Sequence, residues 1–80
     1  MRLRVEVWLK PGHFDPEGDV TAKSLRDLGF PVKTVKTGKV YIVEVEAGGR
    51  EQALRLAEEM CRRLLANPVK DDYRVEVLST

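Results

Sequence analysis

Side-chain catalysis needs a nucleophile beside a base, a pair of tuned carboxylates, or a metal with its ligands. This chain of 80 residues holds one histidine, His13, and one cysteine, Cys61. His13 falls in a loop and Cys61 at helical spacing among apolar residues, so Cys61 reads as a small packed hydrophobe and not as half of a Cys–His dyad. Zinc takes about four clustered Cys or His ligands, which two distant residues do not supply. Three short stretches carry weaker possibilities. Lys10-Pro11-Gly12-His13 is a basic, glycine-bearing loop leading into a helix N-terminus, the kind of place an anion occupies. Asp15 and Glu17 already sit at that end, however, and the spacing of a nucleotide loop is absent. Gly38-Lys39 reads as a hairpin turn, and Asp71-Asp72 as a solvated turn. The sequence therefore implies no catalytic residue, no cofactor-binding residue and no metal ligand on this chain.

Composition narrows the class. Apolar residues are 42% and charged residues 34%, a balance that suits one small globular domain over residues 1–80. No stretch approaches the ~18 apolar residues of a membrane-spanning helix, and Arg2-Leu3-Arg4-Val5 lacks the apolar core of a signal peptide. A single cysteine excludes an internal disulfide, and the expected location is the cytoplasm. Net charge is +1 with both signs interspersed, which leaves no electrostatic footprint for nucleic acid or an anionic membrane.

Residue spacing supplies the elements. Leu3, Val5, Val7 and Leu9 alternate with Arg4, Glu6, Trp8 and Lys10, the period of a strand with one apolar face. Asp15 is placed to cap a helix from Pro16 to Leu28, with Phe14, Gly18, Thr21, Leu25 and Leu28 as its buried stripe and Gly29 as its C-terminal cap. Val32 to Lys36 reads as a β-branched edge strand, joined by a tight hairpin at Thr37–Lys39 to a stronger strand from Val40 to Glu46. A second helix follows from Glu51 to Leu65, with Ala53, Leu54, Ala57, Met60, Cys61, Leu64 and Leu65 inward. Asn67, a residue that tolerates the left-handed conformation, and Pro68 end it. Tyr73, Val75 and Val77 then alternate with Arg74 and Glu76 as a final strand. The order β-α-β-β-α-β predicts an α+β, ferredoxin-like sandwich: a four-stranded antiparallel sheet with two helices on one face.

In that fold one sheet face is open. With Val5, Val7, Tyr41, Val43, Val45 and Val75 toward the helices, the open face receives Trp8, Val40, Ile42 and Leu78. Such a row marks a surface that meets another, so these four are candidates for self-association as a homodimer or homotetramer.

Leu64-Leu65-Ala66-Asn67-Pro68-Val69, followed by an acidic residue and Tyr73, resembles the C-terminal signature of the PurS family, the small subunit of phosphoribosylformylglycinamidine synthase. Lys10-Pro11-Gly12, Asp15-Pro16, Gly18, Leu25, Leu28-Gly29-Phe30 and Gly38-Lys39 match in the same order, so the resemblance spans the chain. It implies a subunit that works in purine biosynthesis with a large ATP-dependent synthetase subunit and a glutaminase subunit. Together these convert formylglycinamide ribonucleotide, glutamine and ATP into the formylglycinamidine. On that resemblance the small subunit is homo-oligomeric and non-catalytic, bridges the other two and supports ammonia transfer. ATP and magnesium then belong to the large subunit. Candidate partner contacts are Lys10, Asp15, Lys39, Asn67, Asp72 and Tyr73. His13, Lys70 and Pro31 depart from the family pattern and bear on local loop contacts.

A small-ligand-sensing regulatory domain of the same fold is the alternative. It needs a glycine-rich strand–helix loop at a dimer seam, and Gly12 offers little of that. An RNA-binding sheet needs aromatics beside basic residues on the open face, where Trp8 has Glu6 and Glu44 for neighbours.

Overall fold

The computed structural model describes residues 1–79. Strand β1 (Arg2–Leu9) is followed by helix α1 (Pro16–Asp27), strand β2 (Gly38–Glu44), helix α2 (Arg50–Met60) and strand β3 (Asp71–Ser79). β1 is the central strand of a three-stranded antiparallel sheet in the order β2-β1-β3. Its alternation does what the pattern requires: Leu3, Val5 and Val7 are buried under α2, while Arg4, Glu6 and Trp8 turn to the other face. Ala53, Ala57 and Cys61 recur every fourth residue along the helix and are fully buried, and these small side chains let α2 lie close on the sheet. Two adjoining clusters make the core, one around Val5, Val7, Cys61 and Ala66, the other around Leu3, Ala53 and Ala57.

The expected four-stranded sheet is not formed. Val32–Lys36 has no regular structure and joins no ladder, and among the described residues no strand lies beside the outer edge of β2. The segment turns back along α1 instead, and its carbonyls find partners there. Arg26 Nη1 donates to the carbonyls of Val32 (3.4 Å) and Lys33 (3.2 Å), and Phe30 donates its N–H to Leu25 (3.0 Å). Gly18 lies so close that a Cβ on it would stand 2.2 Å from the Val35 carbonyl oxygen. Strand propensity depends on a neighbour to pair with, and here the helix is the nearer partner. With that strand gone, the hairpin expected at Thr37–Lys39 is gone too. Gly38 opens β2 directly opposite Trp8, where a Cβ would stand 2.8 Å from the Val7 carbonyl oxygen, so a side chain there would force the backbone to shift.

Residues 16–36 therefore form an arm. α2 is the helix that packs on β1 and β3, whereas α1 makes at most marginal contact with any strand. The molecule measures 50 × 26 × 13 Å with a Cα radius of gyration of 15.8 Å. A compact chain of this length has a radius of gyration of about 12 Å. The stripe on α1 also differs from the expected one. Gly18, against the returning segment, and Ala22 are buried and Leu25 is half-buried, while Thr21 is exposed and Phe14 and Leu28 are 73% and 75% exposed.

Both helix ends are set by local chemistry. Gly29 takes the left-handed conformation (φ +97°) and closes α1 with its N–H on Arg26 O. α2 instead runs into a single π-helical turn at Cys61–Leu65, closed by the Ala66 N–H on Cys61 O at 2.9 Å. This turn rotates Leu64 off the inward stripe, and it is 84% exposed. Asn67 does not adopt the left-handed conformation, since no non-glycine residue among those described has positive φ. Its side chain makes an Asx turn, Oδ1 accepting from Val69 N at 2.9 Å.

Candidate docking site

β1 ends where β2 and β3 begin, and this end of the sheet collects most of the residues singled out by sequence. Trp8 stands between Gly38 of β2 and Asp72 of β3. Lys10, just past β1, donates its N–H to Lys70 O at 2.7 Å, and its Nζ lies 3.6 Å from Asp72 Oδ1. That pair is exposed to solvent at both partners and contributes ~0–1 kcal/mol.

The Asn67–Asp71 turn sets the start of β3. Asn67 N donates to Asp71 Oδ2 at 2.9 Å, Asp71 N returns a bond to Asn67 O at 2.7 Å, and Lys70 Nζ sits 3.1 Å from Asp71 Oδ1. The Asn67 N–H and then the Lys70 ammonium hold the Asp71 carboxyl below the ordinary carboxylate range. Tyr73 faces the helix side, where its hydroxyl donates to Glu58 on α2 and its pKa is raised by that carboxylate. Tyr73 thus spends its hydroxyl on Glu58, whereas Asn67 is exposed and commits only its Oδ1, to the turn.

Asp15 does more than cap α1. Its Oδ1 accepts from Gly18 N at 2.9 Å, its Oδ2 accepts from Thr37 N at 2.7 Å, and the Thr37 hydroxyl donates to both oxygens at 3.0 and 2.9 Å. The Thr37 and Gly18 N–H groups lower its pKa, with the Lys36 charge adding to them. Lys36 and Lys39 have no ion-pair partner among the described residues. They line a shallow cleft of about 350 Å³ with Glu6, Trp8, Thr37 and Val40, and a second cleft of about 250 Å³ opens on the opposite side of the same segment.

On the open sheet face, Val40 and Ile42 are each 51% exposed and Leu78 is exposed as well, with Trp8 partly covered. The four do not form one row. Val40 and Ile42 lie on β2 and Leu78 on β3, while Arg4 and Glu6 of β1 fill the lane between, with Arg74 of β3 beside Glu6. Arg4 and Arg74 both bond Glu6, with Arg74 Nη2 at 2.8 Å, and they lower its pKa.

Sequence reasoning missed Thr37, Lys36 and the exposed side chains Val20 and Phe30 of the arm. A signal for the arm was present: Val20 falls off the stripe of Phe14, Gly18, Thr21, Leu25 and Leu28, and Phe30 lies beyond the helix. Nothing at this end of the sheet pairs a nucleophile with a base. Cys61 is fully buried, and burial followed by the Glu58 charge pushes its thiol pKa up, away from the reactive thiolate. Among the described residues no group of three His, Cys, Asp or Glu side chains is placed to hold a metal ion. No described helix is long and apolar enough to cross a membrane. The arrangement presents backbone edges, lysines and apolar side chains, which is the chemistry of docking.

The family model described as PurS, phosphoribosylformylglycinamidine (FGAM) synthase, matches residues 2–79. The chain belongs to the PurS family. It is 51% identical over 72 residues to the phosphoribosylformylglycinamidine synthase subunit PurS of Archaeoglobus fulgidus, covering 89% of this chain and 90% of that one. The crystal structure of Methanocaldococcus jannaschii PurS, described as a subunit of formylglycinamide ribonucleotide amidotransferase in the purine biosynthetic pathway, superposes with a TM-score of 0.87. Identity is 39%, with 99% of this chain and 96% of that one covered. A chain in the structure of PurLQS from Thermotoga maritima gives a TM-score of 0.89 at 35% identity, covering 96% and 95%. These likenesses extend over nearly the whole chain, taking in the arm as well as the three-stranded sheet.

Proposed function

We propose that this chain is the non-catalytic coupling subunit of a phosphoribosylformylglycinamidine synthase, holding a glutaminase subunit and an ATP-dependent synthetase subunit together so that ammonia passes from one to the other. ATP and magnesium act on the large subunit, and the complex works in the cytoplasm. The observation that carries this reading is the match of 96% of the chain, at a TM-score of 0.89, to a chain of the PurLQS structure. It is supported by a site whose side chains offer contacts and no reaction centre. Lys10, Lys39, Asp72 and the Asn67–Asp71 turn cluster at one end of the sheet and are the contacts we assign to the larger subunits.

The same reading includes self-association as a homodimer or dimer of dimers. α2 covers β1 and β3, which leaves Tyr41, Val43 and Val45 over β2 only half-buried. The arm meanwhile carries Val20, Leu28 and Phe30 uncovered, with Phe14 uncovered just before it. Laying the arm of one copy over the β2 lane of another covers both, at about 25 cal/mol per Å² of apolar surface removed from water. Co-migration is the test. The glutaminase and synthetase subunits are mixed with and without this chain on a sizing column, and a ternary peak that requires the chain supports the reading. Two larger subunits that comigrate equally well without it would overturn the bridging role.

A further inference from the structure

The arm leaves the sheet after Leu9 and returns at Gly38, so two chain crossings connect it to the body. The outgoing crossing, Lys10–Phe14, is a turn containing Gly12 at φ +90°, with no regular structure to stiffen it. The arm itself is one unit, since α1 and the returning segment are joined by the Gly18–Val35 approach and by Arg26 on the Val32 and Lys33 carbonyls. Among the described residues, what ties the outgoing crossing to the returning one is a single carboxylate. Asp15 accepts from Gly18 N at the foot of α1 and from the N–H and hydroxyl of Thr37 at the foot of β2. Neither Asp15 nor Thr37 belongs to the core clusters, so this clasp is separable from the folding of the sheet.

We propose that Asp15 and Thr37 are positioning residues that lock the hinge of the arm, fixing its angle to the sheet and thereby the geometry in which two copies assemble. This rests on the self-association reading above. An arm on an open hinge samples many directions, and assembly must then select one of them, so apparent affinity falls with the fraction of arms correctly aimed.

The chemistry allows a narrow test. Asp15→Asn keeps an N-capping oxygen for Gly18 but turns an amide toward Thr37, a donor against a donor. Thr37→Val removes the hydroxyl alone, and Thr37→Ser keeps it. Spin labels on Thr21→Cys of the arm and Glu76→Cys of β3, in chain diluted with unlabelled protein, read the intrachain distance. Buried Cys61 stays unlabelled. The proposal expects a narrow distribution for the parent and for Thr37→Ser, and a broadened one for Asp15→Asn and Thr37→Val. It also expects the dimer dissociation constant to rise about tenfold or more in Asp15→Asn, the scale of one lost charge-assisted bond, with the thermal transition of the sheet little moved. An unchanged distance distribution in Asp15→Asn overturns the clasp whatever the oligomeric state. A parent that is monomeric at micromolar concentration, with the broadening still seen, overturns self-association and leaves the hinge lock standing.

Discussion

Gly18→Ala sets two physical effects against each other, and their sizes decide the outcome. Gly18 sits in the first turn of α1, where helix propensity alone favours alanine by ~1 kcal/mol. The geometry opposes it. An alanine Cβ would lie 2.2 Å from the Val35 carbonyl oxygen and 2.8 Å from Asp15 Oδ2. Ordinary contact begins near 3.4 Å, so Val35 must retreat by roughly 1 Å, and the atom in the way is backbone rather than a flexible side-chain tip. Retreat separates the returning segment from α1 and loosens the Arg26 bonds to Val32 and Lys33. Overpacking of this kind costs ~1–3 kcal/mol, or more where the backbone must shift, which outweighs the propensity gain. We expect a net loss of ~1–2 kcal/mol local to the arm. Amide hydrogen exchange across α1 would then speed up roughly 5–30-fold, with β1 and β3 protected as before. Ser24→Ala, on the exposed side of the same helix, is the control and leaves exchange equal or slower. If Gly18→Ala slows exchange in α1, the close approach between helix and returning segment does not exist in solution and the arm is built differently.

Other consequences are as direct. Leu3→Ala empties a fully buried position against Ala53 and Ala57, residues too small to collapse into the gap. It should cost ~2–5 kcal/mol, which thermal unfolding reads as a fall of roughly 10 °C or more. Asp71 and Glu6 both have folded-state pKa values below their ordinary ones, so the stability they add to the sheet is fully present above about pH 4–5. It is lost as the pH falls from there through the folded values, and a urea midpoint measured from about pH 6 to 2 should drop through that window. Asp71→Asn should flatten the drop, and a flat midpoint in the parent would contradict the assigned bonds. Cys61 should resist a thiol reagent at about pH 8 in the folded protein and react at once in denaturant, because burial holds its pKa up.

Much of this was legible in the sequence where one strong local rule applied. β1 followed from the alternation of Leu3, Val5 and Val7, α1 began at Pro16 after its Asp15 cap and ended at Gly29, and α2 with its continuation reached Leu65. The errors came where two partners competed for one segment. Val32 to Lys36 has the composition of a strand, but composition does not say whether a strand or a helix lies alongside, and Gly18 made room for the helix. Leu28 and Phe14 are expected inside because a helix beside a sheet normally buries its large residues, whereas here the helix stands away from its own sheet. Leu64 is turned outward by the π-helical turn, which shifts helical phase without any marker residue. At the site, the pairing of Lys10 with Asp72 depends on the β1–β3 register, and Asp15 looks complete as a cap, which hides its second partner, Thr37.

The central claim is that this chain couples two other subunits without performing chemistry itself. The most direct measurement is the rate of amidine formation by the synthetase and glutaminase subunits, with and without this chain, using glutamine and then ammonium as the nitrogen source. The account predicts that adding the chain raises the glutamine-dependent rate and leaves the ammonium-dependent rate unchanged. A rise in both rates, or in neither, would contradict it.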